Sequence, residues 1–315
     1  MKVIRSIPSP NHWAPCALTI GNFDGVHRGH QAMLTRLVKT AKEQGLQSCV
    51  MTFEPHPIEI LKPAMAPTRI SNLRDKLSAI AACGVDYVYV QHFNSSFSGM
   101  SAQAFEETFL HQSLKTRHIL IGDDFRYGAG RQGDFQSLVN AGQRLGFTVA
   151  SLPTITHDEE RVSSSAIRQA LKVGDLAHAQ SLMGRPYMIS GHVLHGQKLG
   201  RNLGFPTLNL AVANRLHVRK PAIEGIFIAL VHGLRENPLS AVASLGQRPT
   251  VDDSGRYLLE VHIFDFQEEV YGKLVQVELL EKIRDEARYE DLTQLQTAIA
   301  SDAVYAKNYF DKLKK

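Results

Sequence analysis

The chain has 315 residues, 43% hydrophobic and 21% charged, with 35 basic against 31 acidic side chains. That length accommodates two domains with separate cores, and a net charge of +4 without any basic run argues against a nucleic-acid partner. No apolar run reaches membrane-spanning length, and the three cysteines, Cys16, Cys49 and Cys83, lack metal-binding spacing.

Met1–Ser6 leads to prolines rather than to the apolar core of a signal peptide. With unpaired thiols, this reads as a cytoplasmic protein; oligomeric state is left open. Ala17–Ile20 reads as a buried strand and Gln31–Gln44 as a helix with Met33, Leu34, Leu37, Val38 and Ala41 on one face. Between them lies Gly21-Asn22-Phe23-Asp24-Gly25-Val26-His27-Arg28-Gly29-His30. Free N–H groups at a helix start favour anions, glycines admit a phosphate to the backbone, and histidines add hydrogen bonds and charge. The bland alternative is a tight turn with two solvent histidines. A zinc-protease helix needs its histidines one turn apart around a glutamate, and a Walker A loop needs Gly-Lys-Ser/Thr; this stretch has neither.

Strands follow at 48–53, 85–90, 117–121 and 147–152, and helices after Ser71/Asn72, from Ser101 through Leu114, and at 135–145. Such alternation predicts a mostly parallel sheet with both faces covered, its ligands beyond the carboxyl ends of the strands. The turns after Ile20, Phe53 and Ile121 all fall at that edge. Gly128–Gly133 has the glycine spacing of a dinucleotide fingerprint, but it lies beyond its strand and lacks the acidic residue about twenty positions on. Arg161–Leu171 reads as a serine-capped helix start with an arginine one turn in.

Near Gly184 the pattern changes to strands without helices, at 187–193, 226–231, 257–266 and 274–280, closed by an amphipathic helix from Leu292 to Phe310. This predicts a small barrel or sandwich with a packed terminal helix. The stretch from Gly191 to Leu210, with Lys198 and Arg201 among its glycines, fits either a phosphate-wrapping loop or a long hairpin loop. Glu260 sits in an alternating strand, where a water-facing carboxylate is the ordinary reading.

The histidine turn resembles the His-x-Gly-His signature of the nucleotidylyltransferase superfamily, and its longer form is similar to the bacterial bifunctional riboflavin kinase/FAD synthetase family. Gly122–Gly128 resembles that family's Gly-Asp-Asp-Phe-Arg-Phe-Gly segment, with Tyr127 for phenylalanine. Val162–Arg168 resembles Ile-Ser-Ser-Thr-x-Ile-Arg, with Ser165 for threonine. Gly204–Asn209 resembles Gly-Phe-Pro-Thr-Ala-Asn, with Leu208 for alanine, and Ser244–Thr250 resembles Asn-Ile-Gly-Thr-Arg-Pro-Thr, departing at Ser244 and Gln247. The resemblance covers nearly the whole chain.

It implies an α/β nucleotidylyltransferase (Rossmann-like parallel sheet) domain over residues 1–184 and a small β-barrel riboflavin kinase domain with a C-terminal helix over 185–315. The implied activities are ATP-dependent phosphorylation of riboflavin to FMN and adenylylation of FMN to FAD with release of pyrophosphate. The alternative is a single-activity enzyme or flavin-binding sensor with one half inactive. The implied catalytic groups are His27, His30 and Glu260. ATP and phosphate fall to Gly21, Asn22, Phe23, Gly25, Gly29, Ser164, Ser165, Arg168, Gly196, Lys198, Gly200, Arg201 and Gly204. Flavin falls to Phe53, Pro55, His56, Pro57, Asp124, Phe125 and Tyr127, and Mg²⁺ to Thr207 and Asn209. The substrates are small molecules, with no nucleic-acid or membrane partner.

Overall fold

A computed structural model describes residues 1–6, 13–153, 155–157, 160–195, 204–212, 220–247 and 257–313. The chain forms two compact units, Met1–Pro67 with Lys76–Ser163, and Thr68–Asp75 with Ser164–Lys315.

The first unit is built on a six-stranded parallel sheet: β1 (Lys2–Ile4), β2 (Cys16–Ile20), β3 (Gln47–Glu54), β4 (Tyr87–His92), β5 (Thr116–Gly122) and β6 (Thr148–Leu152), in the order β1-β4-β3-β2-β5-β6. β2 lies between β3 and β5 and is buried at all five positions, which is why it reads as an apolar run without alternation. From β2 the order grows one way through β3 and β4, then reverses to β5 and β6. The turn after β2 therefore stands at the switch point, where open α/β sheets bind ligands.

Helix α1 (Arg28–Glu43) buries Leu34, Leu37 and Ala41. Short α2 (Pro57–Leu61) follows β3, and α3 (Leu73–Ala82) precedes β4. α4 (Phe135–Leu145) starts with a capping box between Asp134 and Ser137 and stops at left-handed Gly146. The expected strand at 85–90 begins two residues later, because the Asp86 carboxylate accepts hydrogen bonds from Ser48 N (2.9 Å) and Oγ (2.7 Å) and holds the approach to the strand. The expected helix from Ser101 to Leu114 is one α-turn, Ala102–Ala104, that widens into a π-helix, Phe105–Ser113. The wider turn brings Phe105, Glu106, Phe109, Leu110 and Ser113 to the buried side. Edge strand β1 and helix α2 are too short to show a period, and both were missed from sequence.

A small hairpin, β7 (Thr156–His157) with β8 (Glu160–Arg161), precedes the second unit. There α5 (Ser164–Val173) and α6 (Leu176–Met183) lead into a closed antiparallel barrel. Its strands are β9 (Met188–Leu194), β10 (Leu208–Ala211), β11 (Gly225–His232), β12 (Leu239–Gln247), β13 (Tyr257–Ile263) and β14 (Leu274–Arg284), in the order β10-β13-β12-β11-β14-β9. Along β13 buried and half-buried residues alternate without a break. It ends at Ile263 rather than at 266, since Asp265 turns left-handed at φ 53°. β10 and β12 add two strands that sequence analysis did not separate from the motifs around them.

The terminal helix α7 (Leu292–Leu313) packs Ala306 and Phe310 against Ile226, Ile228 and Val242 of the barrel. Arg284 pairs with Asp302 through both carboxylate oxygens, at 3.0 and 2.6 Å, fastening β14 to α7. Within the second unit the segment from Thr68 also docks on the barrel. Ala222 N donates to Arg69 O, Asn72 Nδ2 to Ser190 O, and Ser190 N to the Asp75 carboxylate. Among the described residues, no helix is long and apolar enough to cross a membrane.

Candidate active sites

The turn after β2 is shaped by rings as much as by glycines. His27 caps α1: its Nδ1 accepts from the His30 N–H at 3.3 Å. A nitrogen that accepts cannot carry the proton, so the neutral ring is the Nε2–H tautomer, with its donor on the far edge. The His27 and His30 rings stack at 3.7 Å and 17°, and Phe23 leans on His30 at 5.0 Å. A Cβ on Gly29 would meet the His27 imidazole at 3.2 Å, a contact tight enough that the ring would have to shift. Gly25 is left-handed at φ 82°, as are Phe23 at 49° and Val26 at 40°. For a β-branched residue that is strain of the sort concentrated at functional sites. Thr52 Oγ1 and Gln31 Nε2 hold the turn by donating to Asn22 O (3.2 Å) and Val26 O (2.8 Å). The buried Asn22 Oδ1 has no hydrogen-bond partner.

Of the residues assigned to flavin, Phe53 meets Phe93 edge-on at 5.7 Å. His56 is a cap, with its Nδ1 accepting from Ile58 N and its N–H donating to Glu59; Pro55 and Pro57 flank it. Asp124 is exposed, in the turn closed by Phe125 N donating to Gly122 O. Phe125 stacks on Tyr127 at 5.7 Å and 18°. The hydroxyl that distinguishes Tyr127 from phenylalanine is buried and donates to Glu106 Oε1 at 2.6 Å, and Glu106 also binds Arg144 at 3.0 Å. Burial, then the Glu106 carboxylate, push the Tyr127 hydroxyl well above its ordinary pKa.

In the second unit Ser164 and Ser165 open α5. One turn on, Arg168 Nε donates to Thr68 O at 2.7 Å, so the segment from Thr68 orients the guanidinium.

The barrel site is a row across three strands. Asn209 of β10 stands opposite Glu260 of β13, which stands opposite Ser244 of β12, so the three side chains share a face. Asn209 is 7% exposed and its Oδ1 has no hydrogen-bond partner. Ser244 Oγ donates to Glu286 Oε1 at 3.0 Å. Burial raises the Glu286 pKa, and the Glu224 and Glu260 charges raise it further against the Ser244 hydrogen bond. Thr207, Leu208, Pro206, Val261 and Tyr271 line a cleft of about 400 Å³, and His195 stacks on Tyr271 at 3.9 Å. Left-handed Gly204 (φ 84°) leads into this edge. Gly196, Lys198, Gly200 and Arg201 lie outside the described residues, as do Arg248, Pro249 and Thr250.

Sequence reasoning did not single out Glu286, Glu106 or His262. His262 falls on the Glu260 face of β13, and a period-two reading outward from Glu260 would have found it. Burial lowers the His262 pKa, with the Pro206 carbonyl acting in the opposite sense.

The fold is an α/β nucleotidylyltransferase sheet followed by a closed β-barrel with a terminal helix. A family model described as FAD synthetase matches residues 9–166, and one described as riboflavin kinase matches residues 183–310. The bifunctional riboflavin kinase/FMN adenylyltransferase of Escherichia coli (strain K12) is 44% identical over 313 residues, covering 98% of each chain. That of Haemophilus influenzae is 41% identical, covering 99% of this chain and 100% of its own. A solved structure titled a macrolide-efflux protein from Streptococcus pneumoniae superposes with a TM-score of 0.75 at 28% identity, covering 97% of this chain and 99% of its own. The chain belongs to the bifunctional riboflavin kinase/FAD synthetase family.

Proposed function

We propose that this protein makes FAD in two steps: riboflavin and ATP give FMN and ADP, then FMN and ATP give FAD and pyrophosphate. Residues 1–184 carry the second reaction and residues 185–315 the first. The observation that carries the reading is one chain with two separate constellations, the histidine turn at the switch point of the sheet and the Asn209–Glu260–Ser244 row on the barrel, each within the range of its own family model.

In the kinase step Glu260 takes the proton from the terminal ribityl hydroxyl as that oxygen attacks the γ-phosphorus of ATP, and ADP leaves. Asn209 and Thr207 suit a hard cation. The first keeps a buried carbonyl oxygen without a partner, the second adds a hydroxyl at the cleft, and both are oxygen donors of the kind Mg²⁺ prefers. Thr207 and Asn209 would hold Mg²⁺, which would supply charge stabilisation to phosphoryl transfer. By resemblance, the phosphates of this ATP are assigned to Gly196, Lys198, Gly200 and Arg201, which lie outside the described residues, and to Gly204.

In the adenylylation step a phosphate oxygen of FMN attacks the α-phosphorus of a second ATP, and pyrophosphate leaves. The backbone of Gly21, Asn22, Phe23, Gly25 and Gly29 and the start of α1 receive the phosphates. His27, through Nε2–H, and His30 stabilise the charge that grows on the α-phosphate. The family resemblance assigns the departing pyrophosphate to Ser164, Ser165 and Arg168. Phe53, Pro55, His56, Pro57, Asp124, Phe125 and Tyr127 form the flavin surface. No covalent enzyme intermediate is needed, since positioning and electrostatics carry such transfers. The reaction needs no nucleic acid or membrane and takes place in the cytoplasm.

The test is incubation of the purified chain with riboflavin, ATP and Mg²⁺, with chromatographic separation of the flavins. FAD is the expected product. FMN alone would limit the chain to the kinase, and no product would leave a flavin-binding protein.

A further inference from the structure

His262 belongs to β13, two residues beyond Glu260. Along this strand Tyr257, Leu259, Val261 and Ile263 are buried while Leu258, Glu260 and His262 are half-buried, so Glu260 and His262 project from the same face. The His262 Nδ1 lies 2.8 Å from the Pro206 carbonyl oxygen. A carbonyl only accepts, so Nδ1 carries the proton and donates. The ring is held edge-on to Phe205 at 5.4 Å and 80°, and to Phe264 at 5.7 Å and 78°. One peptide on from the accepted carbonyl is Thr207. Two residues further is Asn209, in register with Glu260.

We propose that His262 is a positioning residue of the barrel site: its Nδ1–H fixes the Pro206 carbonyl and so sets where Thr207 and Asn209 stand relative to Glu260. The proposal rests on the reading of that site as the kinase centre. Pro206 has no N–H with which to pair into the ladder, and the link crosses 56 residues of sequence. The hydrogen bond therefore ties the start of β10 to the strand that bears the base. Its direct effect falls on the placing of Thr207 and Asn209, and so on the cation and nucleotide they are proposed to hold, rather than on proton transfer at Glu260.

Two substitutions in the full-length chain separate the donor from the ring. His262→Asn keeps an N–H on the atom bonded to Cγ, where Nδ1 stood, and loses the ring. His262→Phe keeps a ring between Phe205 and Phe264 and loses the donor. Binding of ADP with Mg²⁺ is measured by titration calorimetry, and riboflavin phosphorylation is measured as KM for ATP and kcat. His262→Phe is expected to weaken Mg²⁺-ADP binding and raise KM roughly three- to tenfold, the value of one hydrogen bond, with kcat nearly unchanged. His262→Asn is expected to stay within about twofold of wild type on the same ground. Thermal unfolding reports on folding of the barrel, and conversion of FMN to FAD should not move in either variant. If His262→Phe unfolds the barrel, His262→Leu, which is apolar and has no N–H, takes its place with the same expectation.

Wild-type binding by His262→Phe with weakening in His262→Asn would overturn the proposal in favour of ring packing alone, and equal weakening in both would overturn it because the donor would then have no effect of its own. If the wild-type chain binds Mg²⁺-ADP with this pattern yet never phosphorylates riboflavin, the kinase reading fails and the positioning role stands.

Discussion

At the end of β2 the histidine turn is a run of ten consecutive residues, whereas the barrel gathers Asn209, Ser244 and Glu260 from three strands. The first arrangement is held by backbone geometry: left-handed Phe23, Gly25 and Val26, a histidine cap, and an imidazole stack that Gly29 leaves room for. The second is held by ladder register, with side-chain contacts such as Ser244 to Glu286 laid over it. In a local site of the first kind, one added methyl group at Gly29 would already press on the His27 ring. A site of the second kind tolerates changes between its members but depends on each member's own chemistry.

The largest effect that follows is at Glu260. Glutamine keeps the size of glutamate and cannot accept a proton at neutral pH, so Glu260→Gln should lower riboflavin phosphorylation by roughly 10² to 10⁴. Conversion of supplied FMN to FAD should stay near wild type. Initial rates of the two half-reactions, measured separately, check both statements, and phosphorylation within threefold of wild type would remove Glu260 from its role. On the other side of the comparison, His30→Ala removes one charge-stabilising donor and half of the ring stack. FAD formation should fall about 10² to 10³-fold while FMN formation persists. Equal loss of both activities in a folded protein would mean that the sites are not separate.

The same contrast governs what could be read before the structure. The turn after Ile20 was legible because strand, glycines, histidines and helix follow one another along the chain, and the switch point then places it. What escaped was why each residue is there, such as His27 Nδ1 serving as a cap and so leaving its proton on Nε2. On the barrel, Glu260 looked like any outward strand carboxylate. Its partners stand 51 positions before it at Asn209 and 16 before it at Ser244, and no periodicity joins residues that far apart. The units themselves were half legible. The change of pattern near Gly184 marks the start of the barrel, but the docking of Thr68–Asp75 with the second unit depends on long-range hydrogen bonds such as Ser190 N to Asp75.

A smaller effect is expected at Tyr127, where the two ways of building a site meet. Tyr127→Phe keeps the ring that stacks on Phe125 and removes the donor to the buried Glu106, which then has Arg144 as its remaining charged partner at 3.0 Å. Leaving a buried acceptor short of one bond costs about 1–3 kcal/mol, read as a lower midpoint of thermal unfolding. If the aromatic surface alone matters to flavin, KM for FMN should change little. A large rise in KM with unchanged stability would show the hydroxyl itself acting on the ligand.

The smallest effect concerns Glu286 and works through pH. Its carboxyl titrates above the ordinary value chiefly through partial desolvation, with the Glu224 and Glu260 charges adding to the shift. A raised pKa in the folded state means that folding favours the protonated form. The contribution is therefore favourable at low pH and is lost as pH rises through the unfolded and then the folded pKa; above both, the charged carboxylate opposes folding. Glu286→Gln removes that opposition and keeps an acceptor for Ser244 Oγ, so the variant should gain stability over wild type at neutral pH. The gain should shrink towards pH 4, where the wild-type carboxyl is itself protonated. It should remain small, since the side chain is exposed and solvent screens its charge. Thermal unfolding of both proteins across this range is the measurement. A variant less stable than wild type at neutral pH, with no trend in pH, would mean that the carboxylate is held by a favourable contact, and that the acidic face around Glu260 is relieved in some other way.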